Sequence, residues 1–233
     1  MTTHDIAASM KEWTEARKAL LEKEKAFSKQ GDALAAERRA LPWLEVTEDY
    51  VFDTPSGRKS LAELFGDKSQ LLVYHFMFGP DWEKGCQSCS FWTDHFSGAV
   101  PHLAARDVAF VSVSRAPLAK LEAFAERMGW SHPWVSSEGS TFNFDFGVSF
   151  RPDEEDATYN FGPKTMGGEE LPGFTAFFKD ESGRIFRTYS CYARGLDALN
   201  PTYAMLDRAP KGRDEDGLPY TMSWVRLKDE YGT

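Results

Sequence analysis

Continuous apolar runs in the middle of the chain predict strands that are buried on both faces. Residues 71–78 form one such run, with β-branched and aromatic members, and residues 107–114 form a second. Runs of this length, bounded by Gly or Pro, are typical of strands in a parallel sheet. A third, shorter strand is predicted at residues 134–136.

Helical spacing is found between these predicted strands. One segment extends from Cys89 to Phe96, and another, at residues 118–128, places its apolar side chains on one face until Gly129 ends it. The order is therefore β-α-β-α-β. Because crossover connections are right-handed, these strands should be parallel. The sequence thus predicts an α/β fold with a central sheet flanked by helices.

The first 41 residues predict a helical arm. Large apolar side chains recur every seven residues, at Ile6, Trp13, Leu20, Phe27, Leu34 and Leu41. Helix is expected over residues 4–40, interrupted at Gly31 and Asp32, so that Asp32 would cap a second helix. A stripe this narrow must lie on another surface, which is either the remainder of this chain or a second copy in a homodimer.

Pro42 ends the arm, and residues 42–233 are expected to form one domain with a C-terminal extension. A short strand at residues 50–52, a turn at 55–57 and a helix at 61–65 precede the central strand. Residues 172–178 and 184–189 flank Gly183 and predict an antiparallel hairpin. Residues 137–170 read as a long loop, which is either a functional lid or a mobile surface segment.

Composition limits the partners that the chain can have. The 233 residues carry a net charge of −9 with a pI of about 5.1, which argues against nucleic acid or an anionic membrane surface as partner. The N-terminus lacks a basic cluster followed by an apolar core, so no secretory signal is expected. Three cysteines in such a chain favour a cytoplasmic location, where a C-x-x-C motif is more often catalytic than structural.

The central strand leads directly to the residues with the clearest chemistry. Gly79-Pro80 ends the strand, and Cys86-Gln87-Ser88-Cys89 then begins a helix. Cysteines three apart lie about one turn from each other on the same helix face. Cys86 therefore occupies the exposed first turn, where backbone N–H groups favour a thiolate, and Cys89 is placed to attack a mixed disulfide formed by Cys86.

Zinc is the main alternative use of such a motif. A structural zinc site would require a second pair of ligands, and neither another C-x-x-C nor a nearby C-x-x-H is present. Cys191 and His95 could complete a set with the two motif cysteines, but His95 is turned well away on a regular helix. We therefore expect no metal and no cofactor. Cys191 and His75 are interpreted mainly as core residues.

Aromatic and basic residues near the motif give weaker signals. Trp82 and Trp92 flank the thiols, and Trp82 is a candidate for lining a substrate groove, although most such rings serve packing. Arg115 and Arg194 could contact an anion, but structural or solvated roles are more common.

The strand that leads into C-x-x-C, the β-α-β extension and the proline-led hairpin together resemble the thioredoxin fold over residues 46–206. The front of this region is similar to that of peroxiredoxins. The segments YHFMFGPDWEKGCQSCSFW, VSVSRAPLAKLEAF, GWSHPWVSS and YARGLDALN resemble more closely the bacterial thioredoxin-like family catalogued as domain of unknown function 899. That resemblance covers nearly the whole chain.

The resemblance implies roles for two further residues. Thioredoxin-like proteins have a cis-proline beside the active-site disulfide, and the matching residue here is Pro172. The Leu171–Pro172 bond is thus expected to be cis. Gly173 would leave room for a substrate peptide or small disulfide.

Three positions depart from the related patterns. Gln87 and Ser88 stand between the cysteines, so the redox potential of thioredoxin cannot be transferred. Tyr74 occupies the strand position at which thioredoxin has a buried acid. Glu83 stands where peroxiredoxins have a Thr or Ser, which weakens the case for peroxide chemistry.

Thiol–disulfide exchange is therefore the leading functional hypothesis, with Cys86 as nucleophile and Cys89 as resolving residue. Its substrate would be a protein or small-molecule thiol or disulfide. Two alternatives remain open: a non-catalytic module that binds a metal, ligand or protein, and a thiol peroxidase with Cys86 as the peroxidatic residue.

Overall fold

The computed structural model describes residues 6–152 and 154–232. The chain divides into two compact units, the first ending at Pro42 and the second beginning at Trp43.

The arm is one uninterrupted helix, α1 (Met10–Arg39). The Ser9 hydroxyl caps it by accepting the Glu12 N–H at 3.2 Å. The expected break at Gly31 and Asp32 is therefore wrong: a glycine inside a helix costs only about 1 kcal/mol, which the thirty-residue hydrogen-bond ladder tolerates. The predicted start at residue 4 lies outside the described residues.

Eight strands of the second unit form one sheet, and two more form a separate hairpin. The strands are β1 (Leu44–Val46), β2 (Val51–Thr54), β3 (Gly57–Ser60), β4 (Gln70–His75), β5 (Val108–Ser114), β6 (Trp134–Ser136), β7 (Thr158–Tyr159), β8 (Gly162–Pro163), β9 (Gly173–Lys179) and β10 (Ile185–Tyr192). The order in the large sheet is β1-β10-β9-β4-β5-β6-β2-β3, and β7 pairs with β8.

Six further α-helices occur among the described residues of the second unit. They are α2 (Leu61–Leu64), α3 (Gln87–Thr93), α4 (Phe96–Ala104), α5 (Leu118–Met128), α6 (Phe142–Asp145) and α7 (Pro201–Leu206). Short 3-10 helices cover Ala193–Leu199 and Lys228–Glu230. Among the residues that the structure describes, no helix is both long and apolar enough to cross a bilayer.

The predicted central strands are confirmed. Strand β4 pairs in parallel with β5, and β5 pairs in parallel with β6, while β9 and β10 form the expected antiparallel hairpin. Gly129 ends α5 in the left-handed conformation, with φ +62°, as the helix-stop signal predicted.

Strand β4 is buried on both faces, and its side chains alternate between two cores. Leu71 and Val73 pack in the core that includes Phe52 and Phe142, whereas Tyr74 packs on the opposite face in the core that includes Phe91 of α3. This alternation places the Tyr74 side chain on the same face of the sheet as the motif helix.

The four strands β10-β9-β4-β5, with the C-x-x-C motif directly after β4, have the thioredoxin-like arrangement that the resemblance implied. The antiparallel pairing of β9 with β4 places Gly173 opposite His75. The start of β9 and the end of β4 therefore lie at the same end of the sheet, and the motif loop begins there.

Candidate active site

The loop after β4 holds the first cysteine at the start of α3. The Cys86 N–H donates to the Met77 carbonyl at 3.1 Å, which ties the end of the loop back to its beginning. Gly79 is required within the loop, because a Cβ there would lie 2.9 Å from Nε1 of Trp82. Cys86 is the N-cap of α3, as the motif predicted.

The two cysteine residues differ in burial. Cys86 is half-buried, whereas Cys89 is only 1% exposed. The Cys86 Sγ accepts the Cys89 N–H at 3.5 Å, and the Cys89 Sγ accepts the Met77 N–H at 3.5 Å. Both residues are thiols rather than partners in a disulfide. Cys86 is thus the more accessible of the two, as the helix geometry predicted, but it is half-buried rather than exposed.

The same contacts separate the acidities of the two thiols. A hydrogen bond from the Cys89 side chain lowers the pKa of Cys86 to about 7, with further contributions from the Cys89 and Ser88 N–H groups. Burial raises the pKa of Cys89 well above its ordinary value, and its hydrogen bond to Cys86 adds to this effect. The first proton that the pair loses therefore comes from Cys86, which is partly ionised near neutral pH.

Tyr74 contacts the buried member of the pair. It is 1% exposed and its side chain is hydrogen-bonded to that of Cys89. Burial raises the pKa of the Tyr74 hydroxyl well above its ordinary value, so this phenol stays protonated. The side chain is thus a hydrogen-bond donor rather than the acid found at this position in thioredoxin.

The expectation of a cis-proline is wrong. None of the described peptide bonds is cis, so Leu171–Pro172 is trans, the form that X–Pro bonds ordinarily favour by about 0.5–1 kcal/mol. This removes the main support that the resemblance gave for a thioredoxin-type site. The Pro172 carbonyl accepts the Tyr159 hydroxyl at 2.7 Å, and the same hydroxyl accepts the Ala193 N–H at 2.9 Å.

Gly173 lies in a closed space rather than an open one. A Cβ at this position would lie 2.8 Å from the Val148 side chain and 3.0 Å from the Tyr192 ring. The absence of a side chain therefore allows close packing at the start of β9. The expectation that Gly173 leaves room for a substrate is therefore wrong, because neighbouring side chains fill that space.

The two flanking tryptophans have different environments. Trp82 is half-buried in the motif loop, where its carbonyl accepts a hydrogen bond from the Lys120 ammonium at 3.1 Å. Trp92 is 6% exposed and donates from Nε1 to the Leu196 carbonyl at 2.8 Å. Trp92 therefore packs in the core, and Trp82 remains the candidate for contacting substrate.

The alternative candidates do not form a metal site. No cluster of three or more His, Cys, Asp or Glu side chains suitable for a metal occurs in residues 6–152 and 154–232. His95 Nε2 is hydrogen-bonded to the Thr202 hydroxyl at 2.8 Å. His75 is 1% exposed and stacks on the rings of Phe142 and Phe146. Arg194 pairs with Asp197 at 3.2 Å.

Arg115 has a partner that the sequence did not reveal. Its guanidinium pairs at 2.8 Å with Glu170, which is 5% exposed and also accepts the Ser149 hydroxyl at 2.7 Å. Burial raises the pKa of Glu170, whereas the hydrogen bond from Ser149 and the positive charge of Arg115 lower it. The ion pair between Arg115 and Glu170 joins the end of β5 to the segment that leads into β9. It lies at the same end of the sheet as the motif.

The C-terminal segment contacts the motif from outside. Gln87, between the two cysteines, donates to the Glu230 carboxylate at 3.4 Å. Lys84 approaches the same carboxylate at 3.6 Å, and Arg127 pairs with Glu230 at 3.1 Å. Sequence reasoning missed this contact, because no periodicity or motif links residues 143 positions apart.

Comparison with known proteins gives one match to a family. The sequence profile described as "Bacterial protein of unknown function (DUF899)" matches residues 1–231. No curated protein matches the chain.

Several solved structures are similar in fold. A cysteine-to-serine mutant of PrxQ from Xylella fastidiosa is 17% identical over 67% of this chain and 89% of its own, with a TM-score of 0.43. Peroxidoxin BcpB from Mycobacterium tuberculosis is 17% identical over 66% and 91%, with a TM-score of 0.44. A cysteine-to-serine mutant of peroxiredoxin 6 from Arenicola marina is 14% identical over 73% and 76%, with a TM-score of 0.45. Similarity at this level carries no information about activity.

Proposed function

The chain belongs to the bacterial family DUF899, and we propose that its Cys86–Cys89 pair carries out thiol–disulfide exchange. One observation carries the proposal. The half-buried Cys86 has its pKa lowered to about 7 by hydrogen bonds, while the fully buried Cys89 remains a thiol one turn away. A nucleophile and a resolving thiol are the two parts that reversible dithiol chemistry needs.

In the first step the Cys86 thiolate attacks one sulfur of a substrate disulfide. A bond forms between Cys86 and that sulfur, the substrate S–S bond breaks, and the second substrate sulfur leaves as a thiolate. Because Cys86 is partly ionised near neutral pH, no separate base is needed to begin this step.

In the second step Cys89 loses its proton to solvent or to the released thiolate and attacks the Cys86 sulfur. A Cys86–Cys89 disulfide forms and the remaining substrate sulfur leaves. The substrate gains two electrons, which the dithiol loses. An external thiol must then reduce the Cys86–Cys89 disulfide to complete a cycle. A reducing cytoplasm would supply such thiols. The steps run in reverse when substrate thiols attack the Cys86–Cys89 disulfide, and the substrate is then oxidised while the dithiol is regenerated.

Substitution of each cysteine tests the proposal. We expect Cys89→Ser to accumulate a covalent mixed disulfide at Cys86 when it is mixed with an aromatic disulfide, as seen by intact-protein mass spectrometry. Cys86→Ser should form none, and neither variant should catalyse reduction of insulin by dithiothreitol. Cys191→Ser is the matched control and should retain the activity. Full activity of Cys86→Ser would refute the assignment.

The same variants separate the proposal from peroxide chemistry. We expect the wild-type dithiol to react with a disulfide at least as readily as with an equal concentration of hydrogen peroxide. If peroxide alone were consumed at a useful rate, and only when Cys86 is present, a thiol peroxidase would replace the oxidoreductase proposed here.

A further inference from the structure

The carboxylate of Glu230 contacts side chains on both sides of the nucleophile. Glu230 Oε2 accepts a hydrogen bond from Nε2 of Gln87 at 3.4 Å, and Glu230 Oε1 lies 3.6 Å from Nζ of Lys84. Gln87 directly follows Cys86 in the chain, and Lys84 stands two residues before it. Because neighbouring Cα atoms are only about 3.8 Å apart, a carboxylate that contacts both flanking side chains lies near Cys86.

The turn that carries Glu230 is held in place by the core and by the motif helix. Val225 and Leu227 are 2% and 0% exposed and pack in the same core as α3. The Glu230 N–H donates to the Leu227 carbonyl at 2.8 Å. Lys228 pairs at 3.1 Å with Asp94, the C-cap residue of α3. The negative charge of Glu230 is therefore a fixed part of the surface around the motif.

The basic groups that contact this turn and the motif loop are engaged by protein atoms. Arg127 pairs with Glu230 at 3.1 Å and with Asp229 at 2.7 Å. Lys84 approaches Glu230, and Lys120 donates to two carbonyls of the motif loop. An anionic group that approaches the nucleophile would have to compete with these protein groups for each base.

The motif loop itself has no excess of positive charge. Residues 76–85 contain two acids, Asp81 and Glu83, both exposed, and one base, Lys84. The whole chain carries a net charge of −9. An anionic substrate therefore gains no general electrostatic attraction that would offset the charge of Glu230.

We propose that Glu230 makes Cys86 select against disulfides that carry an anionic group beside the reacting sulfur, so that its substrates are neutral or cationic disulfides. This inference rests on the proposed function and adds its substrate class. The exchange step is the one given above: a bond forms between Cys86 and one substrate sulfur, the substrate S–S bond breaks, and a thiolate leaves. During that step the groups next to the substrate sulfur enter the field of the Glu230 carboxylate, where like charges repel.

Three small disulfides of different charge test this inference. Cystamine carries two ammonium groups, dithiodipropionate carries two carboxylates, and hydroxyethyl disulfide is neutral. The rate at which each reagent consumes the Cys86 thiol is measured near neutral pH in dilute salt, by quenching with iodoacetamide and peptide mass spectrometry. For each reagent, the rate of Glu230→Gln is divided by that of wild type, which removes differences among the leaving thiols.

The expected shifts have opposite signs for the two charged reagents. Relative to the neutral disulfide, Glu230→Gln should react about threefold faster with dithiodipropionate and about threefold more slowly with cystamine. A change in the pKa of Cys86 would affect all three reagents equally, so the neutral disulfide reports it separately. Both shifts should shrink in about 1 M sodium chloride, where the Debye length is about 3 Å.

Two further variants separate charge from structure. Glu230→Asp retains the carboxylate on a shorter side chain and should keep the wild-type selectivity. Glu181→Gln removes the same charge from the exposed turn between β9 and β10, at the opposite end of the sheet from the motif, and should react as wild type does. Glu230→Gln should unfold within a few degrees of wild type, because ion pairs at the surface add little stability.

Different outcomes would overturn different claims. If Glu230→Gln changes the rates of all three disulfides by one factor, or changes none, Glu230 does not select substrates by charge although the dithiol reacts. The same conclusion follows if Glu181→Gln shifts the selectivity equally, or if Glu230→Asp loses it. If the wild-type protein reacts with none of the three disulfides, the proposed function fails and this inference fails with it.

Discussion

The hydroxyl of Tyr74 is hydrogen-bonded to the sulfur of Cys89, and both side chains are almost completely buried. A phenol that stays protonated donates to sulfur, and this donation favours the Cys89 thiolate. The contact bears on the second step of exchange, when Cys89 must ionise inside the core. Tyr74 is then a positioning and stabilising residue that never contacts substrate.

Tyr74→Phe should separate the two steps of the reaction. Removing a hydrogen bond to a charged group costs about 1.5–3 kcal/mol, so we expect the second step to slow at least tenfold. The first step should change little, because Cys86 does not contact the lost hydroxyl. Stopped-flow release of the coloured thiolate from an aromatic disulfide measures both steps, since each cysteine releases one equivalent.

The matched control for this variant is Tyr203→Phe. Tyr203 is also buried, but its hydroxyl donates to Glu215 at 2.9 Å rather than to sulfur. The Tyr203→Phe variant should therefore leave the rates of both steps unchanged. If Tyr74→Phe slows the first step as much as the second, the effect is on packing of the site and the assigned role is wrong.

Alkylation of Cys86 should have a midpoint near pH 7. The hydrogen bond from the Cys89 side chain lowers the pKa of Cys86 to about 7, compared with about 8.5 for an ordinary cysteine. The rate of iodoacetamide labelling at Cys86, followed by peptide mass spectrometry, should therefore rise most steeply between pH 6 and 8. Cys89 should label far more slowly throughout that range because it is buried and its pKa is raised.

Cys89→Ala provides the control for the origin of this shift. Loss of the hydrogen bond from the Cys89 thiol should move the Cys86 midpoint upward, towards the ordinary value. An unchanged midpoint in this variant would show that the backbone N–H groups, rather than the second thiol, set the acidity of Cys86.

Two buried histidines should make the fold less stable in mild acid. Burial lowers the pKa of His75 to about 3 and that of His132 to about 4, against about 6.5 in an unfolded chain. Below pH 6.5 the unfolded chain binds protons that the folded chain excludes. The free energy of unfolding is therefore unaffected by these two groups above pH 6.5. As the pH drops from 6.5 towards 4, it falls by about 1.4 kcal/mol per pH unit for each histidine.

His132→Gln tests this dependence. The wild-type His132 nitrogens contact Ser97 at 2.9 Å and Ser112 at 3.1 Å, so the variant should be less stable at pH 7. Between pH 6 and 5, however, its urea midpoint should fall less steeply than that of wild type, because one proton-binding group has been removed. Parallel curves for the two proteins would show that His132 does not contribute to the acid sensitivity.

Local patterns predicted the framework of the site, and distant contacts determined its details. The apolar run before Gly79-Pro80 and the spacing of Cys86 and Cys89 are local signals, so the strand, the loop and the deeper burial of Cys89 could be predicted. The bond from Tyr159 to Pro172 depends on how the hairpin folds back, which no periodicity encodes. The cis-proline was inferred from the resemblance alone and proved wrong.

The helical arm should join two copies of the chain. Its large apolar side chains recur every seven residues along α1, and a single helix cannot cover its own stripe. A seven-residue repeat suits a second helix that winds around the first in a left-handed supercoil. A thirty-residue helix is about 45 Å long, enough for an extended interface between two arms. Multi-angle light scattering of the full-length protein should therefore give twice the mass of the chain.

Charge placed on the stripe should separate the copies. In the variant with both Leu20→Glu and Phe27→Glu, two acidic groups lie where apolar side chains would meet, and we expect a monomer that retains dithiol reactivity. Lys18→Glu is the matched control, because Lys18 lies on the opposite face of α1 and pairs there with Glu15 at 3.1 Å. It should remain a dimer. A full-length protein that is monomeric at micromolar concentration would contradict pairing through the stripe.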